Sequence, residues 1–118
     1  MGKNRQSPTY FELVYAITQQ IPVGRVTTYG AIADYLSLGS ARMVGWALRH
    51  VEEGDAVPAH RVLNRNGELS GRGHFSPPEL MQQNLESEGL HVENDRVCNF
   101  ASVFWHPAQL DESDFFTI

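Results

Sequence analysis

Cysteine is almost absent from this sequence. One residue in 118, Cys98, excludes an intramolecular disulfide and fits a reducing, cytoplasmic setting. Long apolar runs are missing too. No stretch reaches the roughly 18 residues a membrane helix needs, so no membrane partner is expected. The first ten residues, Met1 to Tyr10, are polar and lack the apolar core of a signal peptide. Positive charge is scarce: nine Lys and Arg against fourteen Asp and Glu give a net charge of −5, which argues against indiscriminate nucleic-acid binding. The five histidines, His50, His60, His74, His91 and His106, follow no zinc-ligand spacing, and Cys98 has no cysteine partner, so neither metal nor cofactor is expected.

What is present is an ordinary globular mix, 42% apolar and 19% charged, at a length that suits one domain spanning 1–118. The charge is unevenly spread. Residues 1–75 hold eight Lys and Arg against six Asp and Glu, whereas residues 76–118 hold one Arg against eight acids. Local charge decides where a phosphate backbone can lie, so the first part is the one suited to meet it.

Ser7 and Pro8 form a helix-start signal, followed by Phe11, Val14, Ile17 and Ile21 at helical spacing. Pro22 and Gly24 end that helix. Val26-Thr27-Thr28 leads into a second helix, Tyr29 to Ser37, with Gly39 expected in the left-handed position that closes it and Ser40 as the next cap. The third helix is expected over Ala41–His50. Its core stripe is Val44, Ala47, Leu48 and Val51; the opposite face carries Arg42, Gly45, Trp46 and Arg49. Two short helices joined by a Gly-Ser turn read as helix-turn-helix. Asn66-Gly67 predicts a hairpin turn between arms Arg61–Leu63 and Glu68–Ser70, a small wing. Ser76-Pro77-Pro78-Glu79 predicts a capping box for a fourth helix ending near Glu88, with Gly89 as stop and Leu90 as its apolar lock. The tail from Val92 has no clean period, and its Phe100, Val103, Phe104 and Trp105 are expected to pack onto the body.

A winged helix-turn-helix is most often a DNA reader. Yet Ala41–His50 contains no Asn or Gln to read adenine in a major groove. Small residues beside an arginine wedge suit a minor groove better. From the residues alone, a transcription regulator on undamaged DNA and a plain interaction module stay open.

Three segments narrow the choice: Ile21-Pro-Val-Gly-Arg-Val-Thr-Thr-Tyr-Gly-Ala-Ile-Ala33, Ala41-Arg-Met-Val-Gly-Trp-Ala-Leu48 and Val57-Pro-Ala-His-Arg-Val62. With Asn66-Gly-Glu-Leu-Ser-Gly71 and Glu88-Gly89 they resemble, in order over about residues 8–92, the C-terminal DNA-binding domain of O6-alkylguanine-DNA alkyltransferases. The resemblance implies a mainly α, winged helix-turn-helix-like fold. That family's active site reads Pro-Cys-His-Arg, and its cysteine takes the alkyl group from guanine. Here the segment is Pro58-Ala59-His60-Arg61, and a methyl side chain cannot accept an alkyl group by displacement. Loss of the cysteine, and Arg72 where the enzymes usually carry tyrosine, are the pattern of alkyltransferase-like proteins. Two features depart from that pattern: Ala59 where many members have tryptophan, and His50-Val-Glu-Glu-Gly54 in place of an Asn-Pro hinge.

The resemblance implies a non-enzymatic protein that binds duplex DNA containing O6-alkylguanine, flips the base and passes the lesion to nucleotide excision repair proteins. It implies a monomer. DNA contact falls to Tyr29, Arg42, Gly45 and Arg49, with Arg42 filling the vacated place in the base stack and Tyr29 crowding the target phosphate. The lesion pocket falls to Tyr29, Val57, Pro58, Ala59 and Arg72, and the smallness of Ala59 implies room for bulky adducts. His60 and Glu88 are left with a structural role, satisfying one another and nearby backbone. An alkyltransferase working through another nucleophile such as Cys98 is the enzymatic alternative.

Overall fold

The computed structural model describes residues 9–110, so the expected Ser7–Pro8 helix start lies outside the described residues. The first helix, α1 (Tyr10–Thr18), is capped by Thr9, whose hydroxyl accepts the Glu12 N–H while the Glu12 carboxylate accepts the Thr9 N–H. Val14 and Ile17 are its buried face. Pro22 and the left-handed Gly24 then turn the chain into β1 (Thr27–Thr28).

The Thr28 hydroxyl caps α2 (Tyr29–Tyr35) by accepting the Ala31 N–H. The left-handed residue that closes α2 is Ser37, not the expected Gly39. The helix stops early enough for Ser37 N–H to reach Asp34 O at 3.2 Å and Leu38 N–H to reach Ala33 O at 2.8 Å, a Schellman closure that leaves Gly39 two residues too late to take part. Ser40 does precede α3 (Ala41–Arg49), but its hydroxyl makes no cap bond. The Tyr15 hydroxyl donates to Ala47 O at 2.8 Å and pins α3 to α1.

The Asn66-Gly67 turn forms, but the arms on either side do not pair as one ladder. Strand β2 (Val62–Leu63) runs parallel to β1, with Thr27 opposite Val62 and Thr28 opposite Leu63. Glu68 instead bridges Arg96 in the hairpin of β3 (Val92–Glu93) and β4 (Arg96–Val97). The reason is burial: Val62 and Leu63 are both fully enclosed, as in a strand covered on both faces, whereas a free wing would leave one of them in water.

Helix α4 (Glu79–Ser87) starts two residues later than a Ser76 cap would allow. Pro78 occupies the cap position, and the Pro77 and Pro78 carbonyls accept the first helical N–H bonds, so the Ser76 hydroxyl has no capping role. The other end is as expected. Gly89 is left-handed at φ +93° and Leu90 N–H returns to Leu85 O at 3.2 Å, with the Leu90 side chain buried.

The tail packs back through its backbone. Val26 N–H donates to Val103 O at 3.0 Å and Trp105 N–H to Val26 O at 2.7 Å, both at the C-terminal end of the single-turn α5 (Phe100–Val103). Two apolar clusters result. One lies under α1, α2 and α3 and includes Val62 and Trp105; the other lies under α4 and the β3–β4 hairpin and includes Leu63. Adjacent strand residues point to opposite faces, so Val62 and Leu63 stitch the two clusters together. No described helix is long and apolar enough to cross a membrane.

Candidate nucleic-acid interface and base cavity

The outer face of α3 follows from its sequence. With Val44, Ala47 and Leu48 turned into the core, Arg42, Trp46 and Arg49 are left exposed and Gly45 half-exposed. Trp46 is 51% exposed, unusual for so large an apolar side chain. It is held rather than loose: the Arg49 guanidinium stacks over its ring at 5.4 Å, and the His50 ring meets it edge-on at 4.8 Å. Arg25, Arg61, Arg72 and Arg96 are tied to carbonyls or carboxylates. Arg42 and Arg49 have no ion pair among the described residues, so this face presents cations with no internal counter-charge.

Beside this face lies a groove in two parts. The part nearer Arg42 has a volume of about 540 Å³ and is lined by Tyr29, Arg42, Gly45, Trp46, Ser70 and Gly71 among others. The other, about 620 Å³, has an apolar floor of Leu48, Val57, Pro58, Ala59 and Phe75, a size that suits a small-molecule or base ligand. Arg49 and His74 border both, and Tyr29 and Ala59 line with them a small recess of about 30 Å³ that shares residues with each part. Tyr29 is fixed there by close neighbours. A Cβ at position 71 would sit 2.6 Å from its hydroxyl, so a larger residue there would displace the phenol, and a Cβ at position 45 would sit 4.0 Å from its ring. Burial raises the Tyr29 pKa, with the nearby Ser70 side chain opposing in part, so the phenol stays neutral.

The expected site residues are therefore brought together, with one exception. Tyr29, Arg42, Gly45 and Arg49 border one part; Val57, Pro58 and Ala59 form the floor of the other. Arg72 lines neither. The 3-10 turn Arg72–His74 aims it at the tip of the β3–β4 hairpin, where it pairs with Asp95 at 3.0 Å. Sequence reasoning also missed cavity residues. Leu48 had the spacing of a core residue, and no pattern marked His74, Phe75, Glu52 or Glu53 as cavity walls.

Glu88 closes the structure behind the floor. Its carboxylate accepts from His60 Nε2 at 2.7 Å, from Arg61 Nη2 at 2.8 Å and Nε at 3.1 Å, and from the Gly24 N–H at 3.3 Å. Arg61 Nη1 donates in turn to Ile21 O at 2.8 Å. The expected mutual satisfaction of His60 and Glu88 is found, and Arg61 and Gly24 are partners that the sequence did not reveal. Burial raises the Glu88 pKa, but the Arg61, His60 and Gly24 bonds outweigh it and hold the carboxyl down at about 2. Burial lowers the His60 pKa despite Glu88, so His60 is neutral and donates Nε2–H to the carboxylate. Arg61 is the cation that keeps Glu88 ionised.

Cys98 borders neither part of the groove. It lies with His91 and Glu93 on the outward face of the hairpin, their ligand atoms within 4.8 Å of one another, while His91 and Glu93 already bond at 2.8 Å.

Residues 9–90 match the family model described as 6-O-methylguanine DNA methyltransferase, DNA binding domain. Alkyltransferase-like protein 1 of Schizosaccharomyces pombe is 34% identical over 103 residues, covering 83% of this chain and 95% of that protein. The DNA base-flipping protein of Escherichia coli is 35% identical over 107 residues, covering 88% of this chain and 80% of its own. Among solved structures, that of S. pombe Atl1 in complex with damaged DNA containing O6-carboxymethylguanine superposes with a TM-score of 0.72 at 33% identity, over 83% of this chain and 95% of Atl1. The chain belongs to the 6-O-methylguanine DNA methyltransferase DNA-binding-domain family and, within it, to the alkyltransferase-like proteins.

Proposed function

We propose that this chain recognises O6-alkylguanine in duplex DNA, rotates the damaged nucleotide into the cavity floored by Ala59, and holds it there without repairing it. The observation that carries this reading is the groove, which sets the cationic face of α3 beside the cavity floored by Ala59, with Arg49 and His74 on both and Tyr29 and Ala59 on the recess they share. Alkylation at O6 removes the guanine N1 proton and weakens its pairing with cytosine. Extrusion of such a base costs less than the few kcal/mol an intact one requires.

In this reading Arg42 enters the stack at the vacated place, and Arg49 meets the backbone with its guanidinium already oriented on Trp46. Tyr29 crowds the target phosphate as a neutral phenol. Arg72 senses the base once it leaves Asp95. Both members of that pair are about half exposed, so separating them costs no more than about 1 kcal/mol. Ala59 stands where the family's enzymes carry their cysteine, and a methyl group offers no lone pair to the alkyl carbon. His60, neutral and bonded to Glu88, has no thiol to polarise.

A protein that performs no chemistry leaves the lesion in place, so a successor must remove it. Hand-over by a monomer to nucleotide excision repair completes the proposal. The test is incubation with duplex DNA carrying an isotopically labelled O6-methyl group. The label is expected to stay entirely on DNA; label on the protein would overturn the proposal, and Cys98 would be the first residue to check for it.

A further inference from the structure

We infer that Trp46 enters the minor groove beside the lesion and packs its indole against the neighbouring base step, so that α3 grips the duplex at two points and not at Arg42 alone. This rests on the reading of the α3 face as the DNA-contacting surface. It extends that reading to a residue to which the family resemblance gives no role.

Position gives the exposure of Trp46 a meaning. The residue directly follows Gly45 and lies four residues beyond Arg42, one helical turn or about 6 Å along the axis. It lines the same part of the groove as Tyr29, Arg42 and Gly45. Successive bases of one strand are about 3.4 Å apart. With Arg42 in the vacated place, the indole therefore stands within about two base steps of it.

The surroundings favour DNA over a protein partner. Helix α3 carries no acid, and Arg42 and Arg49 lie on either side of Trp46 in its sequence and share its face. An aromatic ring set among cations matches a ligand with phosphates outside and flat base surface within. Indole is a hydrogen-bond donor only, and the minor groove presents acceptors at every base pair. The ring is also locked before DNA arrives. Arg49 covers it at 5.4 Å, His50 meets it edge-on at 4.8 Å, and His50 Nδ1 donates to Trp46 O at 2.8 Å. Little side-chain freedom is left to lose on binding. Proteins that bind the minor groove use apolar groups of this kind to part a base step and bend the duplex.

The chain holds two tryptophans, and Trp105 is only 5% exposed, so changes of emission on DNA binding report Trp46. Titrating the protein with O6-methylguanine duplex is expected to quench its emission and shield the indole from acrylamide, and Trp46→Phe is expected to abolish both changes. Trp46 belongs to neither apolar cluster, so replacing it leaves the fold intact. Trp46→Ala is expected to weaken binding about tenfold on damaged and undamaged duplex alike, with Trp46→Phe keeping most of the affinity. The slope of log affinity against log salt should stay as in the wild type, because an indole releases no counterion. A tryptophan that merely orients Arg49 gives a different pattern: Trp46→Ala lowers that slope by about one and has no effect in the Arg49→Ala background. That pattern, or an indole as open to acrylamide in the complex as in the free protein, would overturn the inference and leave the lesion reading standing. Equal binding of damaged and undamaged duplex by the wild type, with the indole shielded in both, would overturn the lesion reading and leave Trp46 in the groove.

Discussion

Replacing Glu88 with alanine is expected to destabilise the fold by about 3–5 kcal/mol, a large part of the 5–15 kcal/mol typical of a domain. The side chain is 12% exposed and ties together three parts of the chain distant in sequence: the Gly24 turn, the His60–Arg61 segment leading into β2, and the end of α4. Removing it strands the Arg61 guanidinium, itself only 14% exposed, without a counter-charge. The pH dependence gives a second readout. The Glu88 carboxyl titrates near 2 in the folded chain, below its ordinary 4.5. Its contribution is therefore complete above pH about 4.5 and is lost as the pH falls toward 2, amounting to about 3 kcal/mol. His60 acts in the same direction: its folded pKa lies below the ordinary 6.5, so protonating it as the pH falls below that value favours the unfolded chain. Thermal melts of the wild type should thus show a loss between pH about 4.5 and 2 that the Glu88→Ala variant lacks, the variant keeping only the His60 part of the acid limb. At neutral pH its midpoint should lie about 10 °C or more lower. A variant melting within a degree or two of wild type, with the same acid limb, would show that the network contributes nothing.

The second large effect is expected at Arg42. In the proposed mechanism its guanidinium replaces the stacking lost when the base leaves, so Arg42→Ala forfeits part of the few kcal/mol that unstacking costs. Affinity for lesion duplex should fall by about one to two orders of magnitude, and a 2-aminopurine reporter at the flipped position should no longer brighten on binding. A phosphate clamp would weaken binding in proportion on damaged and undamaged DNA and leave flipping intact. Arg49→Ala is the natural comparison, since it shares the exposed face of α3 and lacks the wedge role. Arg42 is exposed and makes no ion pair among the described residues, so its loss leaves the fold undisturbed and the result speaks to DNA alone. A reporter that still brightens with Arg42→Ala would remove the wedge from the mechanism.

The recognition face was legible because α3 is strongly amphipathic: once Val44 and Ala47 face inward, Arg42, Trp46 and Arg49 can only face out. The cavity was half legible. Val57, Pro58 and Ala59 came with the family motif, but Leu48 has the same helical spacing whether it packs against a core or edges an opening beside one. Arg72 shows the limit of a motif, which fixes a place in the chain and not a direction; the direction was decided by Asp95, 23 residues further on. The pairing of the wing's arms escaped for the same reason. Asn66-Gly67 announces a turn, a local property, whereas the partners of Val62 and Glu68 are Thr27 and Arg96, which no local pattern names. At the end of α2, glycine's preference for positive φ pointed to Gly39, but helix length placed that conformation on Ser37.

The most direct measurement is a competition titration between duplexes of identical sequence with and without one O6-methylguanine, followed by digestion and quantification of the bases. The account predicts that the damaged duplex is held about tenfold or more tightly, whatever its flanking sequence, and that all of the O6-methylguanine is recovered intact. Equal retention of the two duplexes, or recovery of plain guanine in place of the adduct, would contradict it.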